Sequence, residues 1–206
     1  MREPKVQELA RRLYSPELLY HNFDHALRAV RTGEEIVRHC HEEGIRIDGQ
    51  VVYYALLFHD AGYIEDHKQK GFESKEAYSA HLAAEALRSC GVRESVIHKV
   101  QSAINSTRRD APFLSAEEKA VRAADLSGLA ADYEDFTADA EKLRQEHAML
   151  TGEQIPWTQW KKKVAETIRF YLAQEIRLTS YYADAIGKSV FHNRVRENLR
   201  RLLADA

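Results

Sequence analysis

Helix-starting residues followed by apolar residues at helical spacing recur along the whole 206-residue sequence. Asn22, Asp48 and Ser74 each precede such a segment, where a side-chain oxygen can accept hydrogen bonds from the first free N–H groups of a helix. Ser115 followed by Glu118 is a capping-box pattern. No segment alternates apolar and polar residues as a half-buried strand does. The sequence therefore predicts an all-α fold, a globular bundle of roughly seven to nine helices.

Length and composition limit the domain count and the classes of partner. No linker divides the chain, so we expect one domain over residues 1–206. A formal net charge of −2 argues against nucleic acid as the main partner. Two cysteines, Cys40 and Cys90, fit a reducing compartment rather than a disulfide framework. The first residues hold no apolar signal segment and no run approaches the ~20 apolar residues of a membrane span, so a cytoplasmic protein without membrane association is expected.

A histidine and an aspartate follow an apolar run in LLFHDAGY, residues 56–63. Besides this pair, His59 and Asp60, the chain has His25 near an earlier helix start and Asp125 within a later helix. Asp125 lies on an otherwise apolar helix face, where a charged, unpaired carboxylate is costly and a bound cation would remove the cost. Two imidazoles and two carboxylates form a mixed nitrogen and oxygen set that suits Mn, Fe, Co, Ni, Zn or Mg.

Ordinary structural roles explain the same residues one at a time. His25 can be a histidine at a helix start, and Asp60 a turn residue. Asp125 can be a buried carboxylate that pairs with Arg122. The separations of 34 residues between the histidines and 65 between the aspartates identify no site without a known fold. From the residues alone, both a metal site and separate structural roles stay open.

Longer segments around these residues carry a family resemblance. In chain order they are YHNFDH (20–25), LLFHDAGY (56–63), KEAYSAHLA (75–83), AADLSGLA (123–130) and SYYADAIGKSVFHNRVRENL (180–199). Together they resemble the small stand-alone members of the HD-domain superfamily of metal-dependent phosphohydrolases. The resemblance implies an HD-domain-like bundle with a metal-site core at about 20–130 and C-terminal helices at about 137–204 packed on it.

The resemblance also implies a metal centre and a reaction. The four implied ligands of one divalent ion are His25, His59, Asp60 and Asp125. The metal is Mn, Mg, Co, Ni, Fe or Zn, and a second ion held by His67 or His98 stays open. The implied reaction is hydrolysis of a phosphate ester, of a nucleotide or related small molecule, by a phosphomonoesterase or phosphodiesterase. In this hypothesis Asp60 also orients or deprotonates the attacking water.

Other residues in these segments are candidates for catalysis and substrate binding. Glu76 matches a glutamate of the family and is predicted to act in catalysis as a partner of the site or a proton acceptor. Its alternative role is that of an acid in a first helical turn, where it interacts with the helix dipole. The predicted substrate-binding residues are His21, whose alternative role is to cap its loop, and Lys75 and Arg108, which could neutralise phosphate charge. For the lysine and the arginine, a solvated surface position is the alternative.

Two other functional classes stay open at this level. One is a non-catalytic helical module for signalling or scaffolding that retains the HD fold, although such relatives usually lose ligands and all four are present here. The other is a di-iron lyase or oxygenase of the same fold, which would need additional histidines and would show a visible iron absorption band. The expected partner is a small-molecule phosphate ester or nucleotide, and a homodimer stays open.

Overall fold

The computed structural model describes residues 3–174 and 176–205, and its regular structure is helical. The α-helices are α1 Pro4–Arg11, α2 Phe23–Glu42, α3 Gly49–Phe58, α4 Lys75–Ser89, α5 Glu94–Asn105, α6 Ala116–Asp125, α7 Tyr133–Thr151, α8 Trp157–Leu172 and α9 Val190–Ala204. A short 3₁₀ helix, η1, covers Leu126–Ala130. Within the described residues no strand forms, only an isolated bridge between Ala183 and Ser189. The predicted all-α class is confirmed.

The chain forms two compact units, Met1–Asp125 and Leu126–Ala206. The predicted single domain spans both of them and includes residues 1, 2, 175 and 206, which lie outside the described residues. The first unit contains α1–α6 and every predicted site residue. Among the helices that the structure describes, none combines the length and the apolar character that crossing a membrane requires.

The predicted helix starts are confirmed by their hydrogen bonds. The Asn22 side chain accepts from the N–H groups of Asp24 and His25, both at 3.1 Å. Asp48 and Ser74 cap α3 and α4 in the same way. At the capping box the Glu118 N–H donates to Ser115 Oγ at 3.1 Å, and the Ser115 N–H donates to Glu118 Oε2 at 3.0 Å. These starts are recognisable in sequence because donor and acceptor are at most three residues apart.

Two helix ends carry site residues. Helix α3 ends at Phe58, so His59 is its C-cap and Asp60 lies in the turn beyond it. Asp125 is the last residue of α6 and not a mid-helix residue, because the chain tightens into η1 directly after it. Both aspartates therefore lie at points where the backbone leaves an α-helix.

Helix α3 is central to the core of the first unit. Its residues 51–58 are all buried, which explains why this segment is apolar on every side. Helix α2 packs closely against it at Gly33, where a Cβ atom would lie only 2.3 Å from Leu56 Cδ1. Without a side chain at this position, α2 lies directly against α3. The same pair of elements supplies the two histidines of the candidate site.

The second unit has its own small apolar core. Phe136, Ile168, Val195 and Leu202 are buried in one cluster contributed by α7, α8 and α9. Asn198 of α9 donates from its amide to the carbonyls of Leu129 at 3.0 Å and Ala131 at 2.9 Å. The C-terminal helices, expected at about 137–204, begin about one turn earlier, at Tyr133, and end at Ala204.

Candidate metal centre

The four predicted ligands converge at one place in the first unit. His25 lies in the first turn of α2, the His59 and Asp60 pair follows α3, and Asp125 ends α6. The Nε2 atoms of the two histidines are 3.2 Å apart. Residues that are far apart in sequence are therefore neighbours because three helices place their ends together.

The two carboxylates lie against this histidine pair. Asp60 Oδ2 is 3.0 Å from His59 Nε2 and 3.5 Å from His25 Nε2. Asp125 Oδ1 is 3.3 Å from His59 Nε2 and 3.5 Å from His25 Nε2. Each carboxylate therefore approaches both imidazoles.

These spacings fit a bound cation. With metal–ligand distances of about 2.1 Å, neighbouring ligand atoms lie about 3.0 Å apart in octahedral and about 3.4 Å apart in tetrahedral coordination. The observed separations, from 3.0 to 3.5 Å, cover this range. His25, His59 and Asp60 form a group whose ligand atoms all lie within 4.8 Å of one another and could hold a metal ion. Asp125 is not in that mutual group and joins it through its contacts with both histidines.

The orientation of His59 suits a ligand. Its Nδ1 lies 2.8 Å from the Leu56 carbonyl oxygen. A carbonyl only accepts, so Nδ1 carries the hydrogen and the neutral ring keeps its lone pair on Nε2, toward the centre. A hydrogen bond on the outer nitrogen is the usual way in which a protein fixes the tautomer and the plane of a ligating histidine. The helix end thus supplies both the ligand and the group that orients it.

Electrostatic interactions at the centre favour a positive charge among the carboxylates. Burial by itself lowers the pKa of His59, but Asp60 and Asp125 raise it well above its usual value. Burial raises the pKa of Asp60, while the charge of His59 and then that of His21 lower it to about 2. The two carboxylates thus favour a positive charge at His59, as they would favour a bound cation.

Exposure differs between the two kinds of ligand. The side chains of His25 and His59 are 6% and 1% exposed, whereas those of Asp60 and Asp125 are 15% and 23% exposed. The imidazoles thus form the buried floor of the centre, and solvent reaches it on the carboxylate side. A small molecule would approach from that side.

Tyr14 anchors the turn that carries Asp60, and sequence reasoning missed it. Its hydroxyl donates to the Leu57 carbonyl at 3.1 Å and accepts from the Asp60 N–H at 3.4 Å. Beside it, the Gly62 N–H donates to the Leu13 carbonyl at 2.9 Å. The segment just after α1 therefore holds the turn on both sides of Asp60. No local sequence pattern could have indicated a bond between residues 46 positions apart.

Replacing Tyr14 with phenylalanine is expected to weaken metal binding. The ring would keep its edge contact with Phe23, but the turn would lose the hydroxyl that joins Leu57 to Asp60. Loss of a group that orients a ligand lowers metal affinity by about tenfold or more. Calorimetric titration of the metal-free protein with Mn²⁺ measures this effect. An unchanged dissociation constant would show that the hydroxyl does not hold Asp60 in place.

Gly62 is expected to tolerate no side chain. Its φ is +72°, and a Cβ atom would lie 2.7 Å from both Tyr78 Cε1 and Leu82 Cδ1. Backbone strain and this overlap together should cost Gly62→Ala about 2–4 kcal/mol of unfolding free energy in urea. Gly91→Ala is the matched control, because Gly91 has a φ of +76° and nothing within 4 Å of its Cβ position. Equal losses for the two variants would mean that backbone strain alone matters at Gly62.

Two of the predicted substrate-binding residues lie around Tyr63, beside the centre. The ring of His21 stacks on Tyr63 with a centroid distance of 3.8 Å and an interplanar angle of 11°. Lys75 Nζ lies 3.4 Å from the Tyr63 ring centroid. His21 is near enough to Asp60 to act on its charge. That these two residues bind substrate stays a prediction, and Tyr63 is an addition from the structure.

The other predicted residues have no contact with the four ligands in the described part of the structure. Glu76 lies in the first turn of α4, the position that its alternative role, an interaction with the helix dipole, requires. Arg108 is 2.8 Å from Asp110 and 3.6 Å from Glu73. His98 lies 3.9 Å from Glu94 on an exposed helix face. Of the described residues, only His25, His59 and Asp60 form a group that could hold a metal ion. The described structure therefore does not support a second ion.

Comparisons with known proteins do not assign this chain to a family. No protein-family model matches the chain, and no curated protein matches it. The resemblance to the HD-domain superfamily therefore depends on the quoted sequence segments and stays a prediction. The structure by itself supports a coarser statement, a buried histidine and aspartate group that could hold a metal ion.

Proposed function

We propose that this protein is a divalent-metal-dependent phosphohydrolase that acts on a small phosphate ester, of a nucleotide or a related molecule. The observation that carries the proposal is the convergence of His25, His59 and Asp60 at ligand spacing, with Asp125 against both imidazoles and solvent access on the carboxylate side. In octahedral coordination four protein ligands leave two positions for water and substrate, as a catalytic centre requires. Two free cysteines agree with the proposed cytoplasmic location.

Different residues of the chain would have different roles in such a reaction. His25, His59, Asp60 and Asp125 would hold the ion, which when bound would lower the pKa of water and polarise a phosphoryl oxygen. Asp60, on the open side of the centre, would orient the attacking water and accept its proton. His21, whose ring centroid lies 6.1 Å from that of His25, would neutralise charge on the phosphoryl group. A proton-accepting role for Glu76 remains part of the proposal, without a contact that supports it.

The test combines metal analysis with phosphate release. Purified protein should contain about one divalent ion per chain and should release inorganic phosphate from some member of a panel of nucleotides and phosphate esters with added Mn²⁺, Co²⁺ or Mg²⁺. A protein that binds a metal but hydrolyses nothing would favour the non-catalytic module. Two irons per chain and a visible absorption band would favour the di-iron lyase or oxygenase.

Removal of the metal is expected to lower thermal stability. A ligand at a hundred times its dissociation constant stabilises the folded state by about 2.7 kcal/mol, which for a chain of this size corresponds to a melting temperature difference of about 5–10 °C. Thermal melts in EDTA and after readdition of Mn²⁺ measure the difference. Identical melts under both conditions would contradict a metal centre in the folded protein.

A further inference from the structure

A stack of three side chains extends beside the candidate metal centre. The His21 ring and the Lys75 ammonium lie 3.8 Å and 3.4 Å from the centroid of the Tyr63 ring. Both cannot occupy one face of the ring at these distances, so they lie on opposite faces. The ammonium group is thus about 7 Å from the imidazole, with the tyrosine ring between them.

The stack starts at the metal ligands and leads away from them. The Tyr20 ring is 4.6 Å from the ring of the ligand His25 and 4.9 Å from that of His21. The ring centroids of His21 and the ligand His25 are 6.1 Å apart. Lys75, at the outer end, therefore adds a positive group to the same row of rings that begins at the ligand His25.

The position of Lys75 in its helix also favours an anion. It is the first residue of α4, after the N-cap Ser74. Free N–H groups and the helix dipole make the start of a helix attractive to anions and unfavourable for a lysine. The Tyr63 ring and the Tyr63 carbonyl, 3.4 Å from Nζ, hold the ammonium there. The lysine and the helix start would therefore both attract a bound anion.

We propose that Lys75, held on Tyr63, forms a second anion subsite and that the substrate carries a second phosphate group besides the one that is hydrolysed. The inference rests on the proposed function, since the first phosphate is the one bound at the metal. It selects bisphosphorylated small molecules, with several atoms between the phosphates, over simple monophosphates. Lys75 is here a residue that determines specificity, and the metal ligands do not depend on it.

Binding of two non-hydrolysable compounds to the Mn²⁺-loaded protein tests the subsite. Propylphosphonate carries one anionic group and propane-1,3-bisphosphonate carries two at opposite ends. We expect the protein to bind the bisphosphonate about tenfold more tightly, as one charge-assisted hydrogen bond provides. In Lys75→Met this preference should disappear, because the second phosphonate loses its cation. Lys68→Met is the matched control, because Lys68 is exposed in the preceding loop and should keep the preference.

Tyr63 variants separate the ring from its hydroxyl. Tyr63→Phe keeps the stacking face and should keep the tenfold preference, whereas Tyr63→Leu removes the platform and should lose it like Lys75→Met. No preference in the unmodified protein, or the same preference in Lys75→Met, would overturn the proposal. The probes are not hydrolysed, so this result is independent of phosphate release. Hydrolysis without the preference would overturn the subsite alone, and preference without hydrolysis of any ester would overturn the proposed reaction alone.

Discussion

Asp60→Ala is expected to abolish both metal binding and phosphate release. Asp60 Oδ2 lies within 3.5 Å of both ligand histidines, and its carboxylate faces the open side of the centre. Without it, the cation loses a charged ligand and the attacking water loses its proton acceptor. We expect metal affinity to fall by at least about a hundredfold and turnover by about a thousandfold or more. Metal analysis of the purified variant and a phosphate-release assay measure the two effects.

Two further variants make this experiment specific. Asp24→Ala removes an exposed acid one residue before His25, so it should retain metal and activity. Asp60→Asn keeps the shape of the side chain and removes its charge, so it should behave like Asp60→Ala if the charge matters. If Asp60→Ala kept its metal content and every hydrolytic activity, neither the metal centre nor the proposed reaction could stand.

Arg122→Met is expected to cause the largest loss of stability. Arg122 is 1% exposed and donates to the carbonyls of Ser106, Arg108 and Arg109 at 2.6–2.7 Å. These three carbonyls belong to the connection between α5 and α6, and a methionine cannot donate to them. The unfolding free energy should fall by about 3 kcal/mol or more, since buried acceptors would be left without partners. Urea unfolding followed by circular dichroism measures the loss.

The same variant should also weaken the metal centre, because Arg122 precedes Asp125 by one helical turn in α6. Mn²⁺ affinity should fall even at temperatures where the variant is folded. Arg31→Met is the matched control, because Arg31 is exposed on α2 and the same substitution there should change unfolding by less than about 0.5 kcal/mol. Similar stabilities of the two variants would show that the three carbonyls do not depend on Arg122.

The role of Arg122 also illustrates a limit of the sequence. As an alternative, the sequence suggested Arg122 as the charge partner of a buried Asp125. In the structure Asp125 lies 3.3 Å and 3.5 Å from the two histidines, and Arg122 binds backbone carbonyls of a preceding connection. A partner within four residues is easy to propose from sequence. A carbonyl 13 to 16 residues away has no signature of its own.

Sequence by itself determined the helical class and the helix starts of this protein, since the caps at Asn22, Asp48 and Ser74 are hydrogen bonds between residues two or three positions apart. It also indicated which four side chains to consider for a metal, through their chemistry and the family resemblance. Only the tertiary structure decided that they meet. The Nε2 atoms of His25 and His59 are 3.2 Å apart, although the two residues are 34 positions apart in the sequence. The tertiary structure likewise decided that Tyr14 supports Asp60 and that Tyr63 joins His21 to Lys75. Contacts of this kind depend on how helices pack, and packing depends on the shapes of many distant side chains at once.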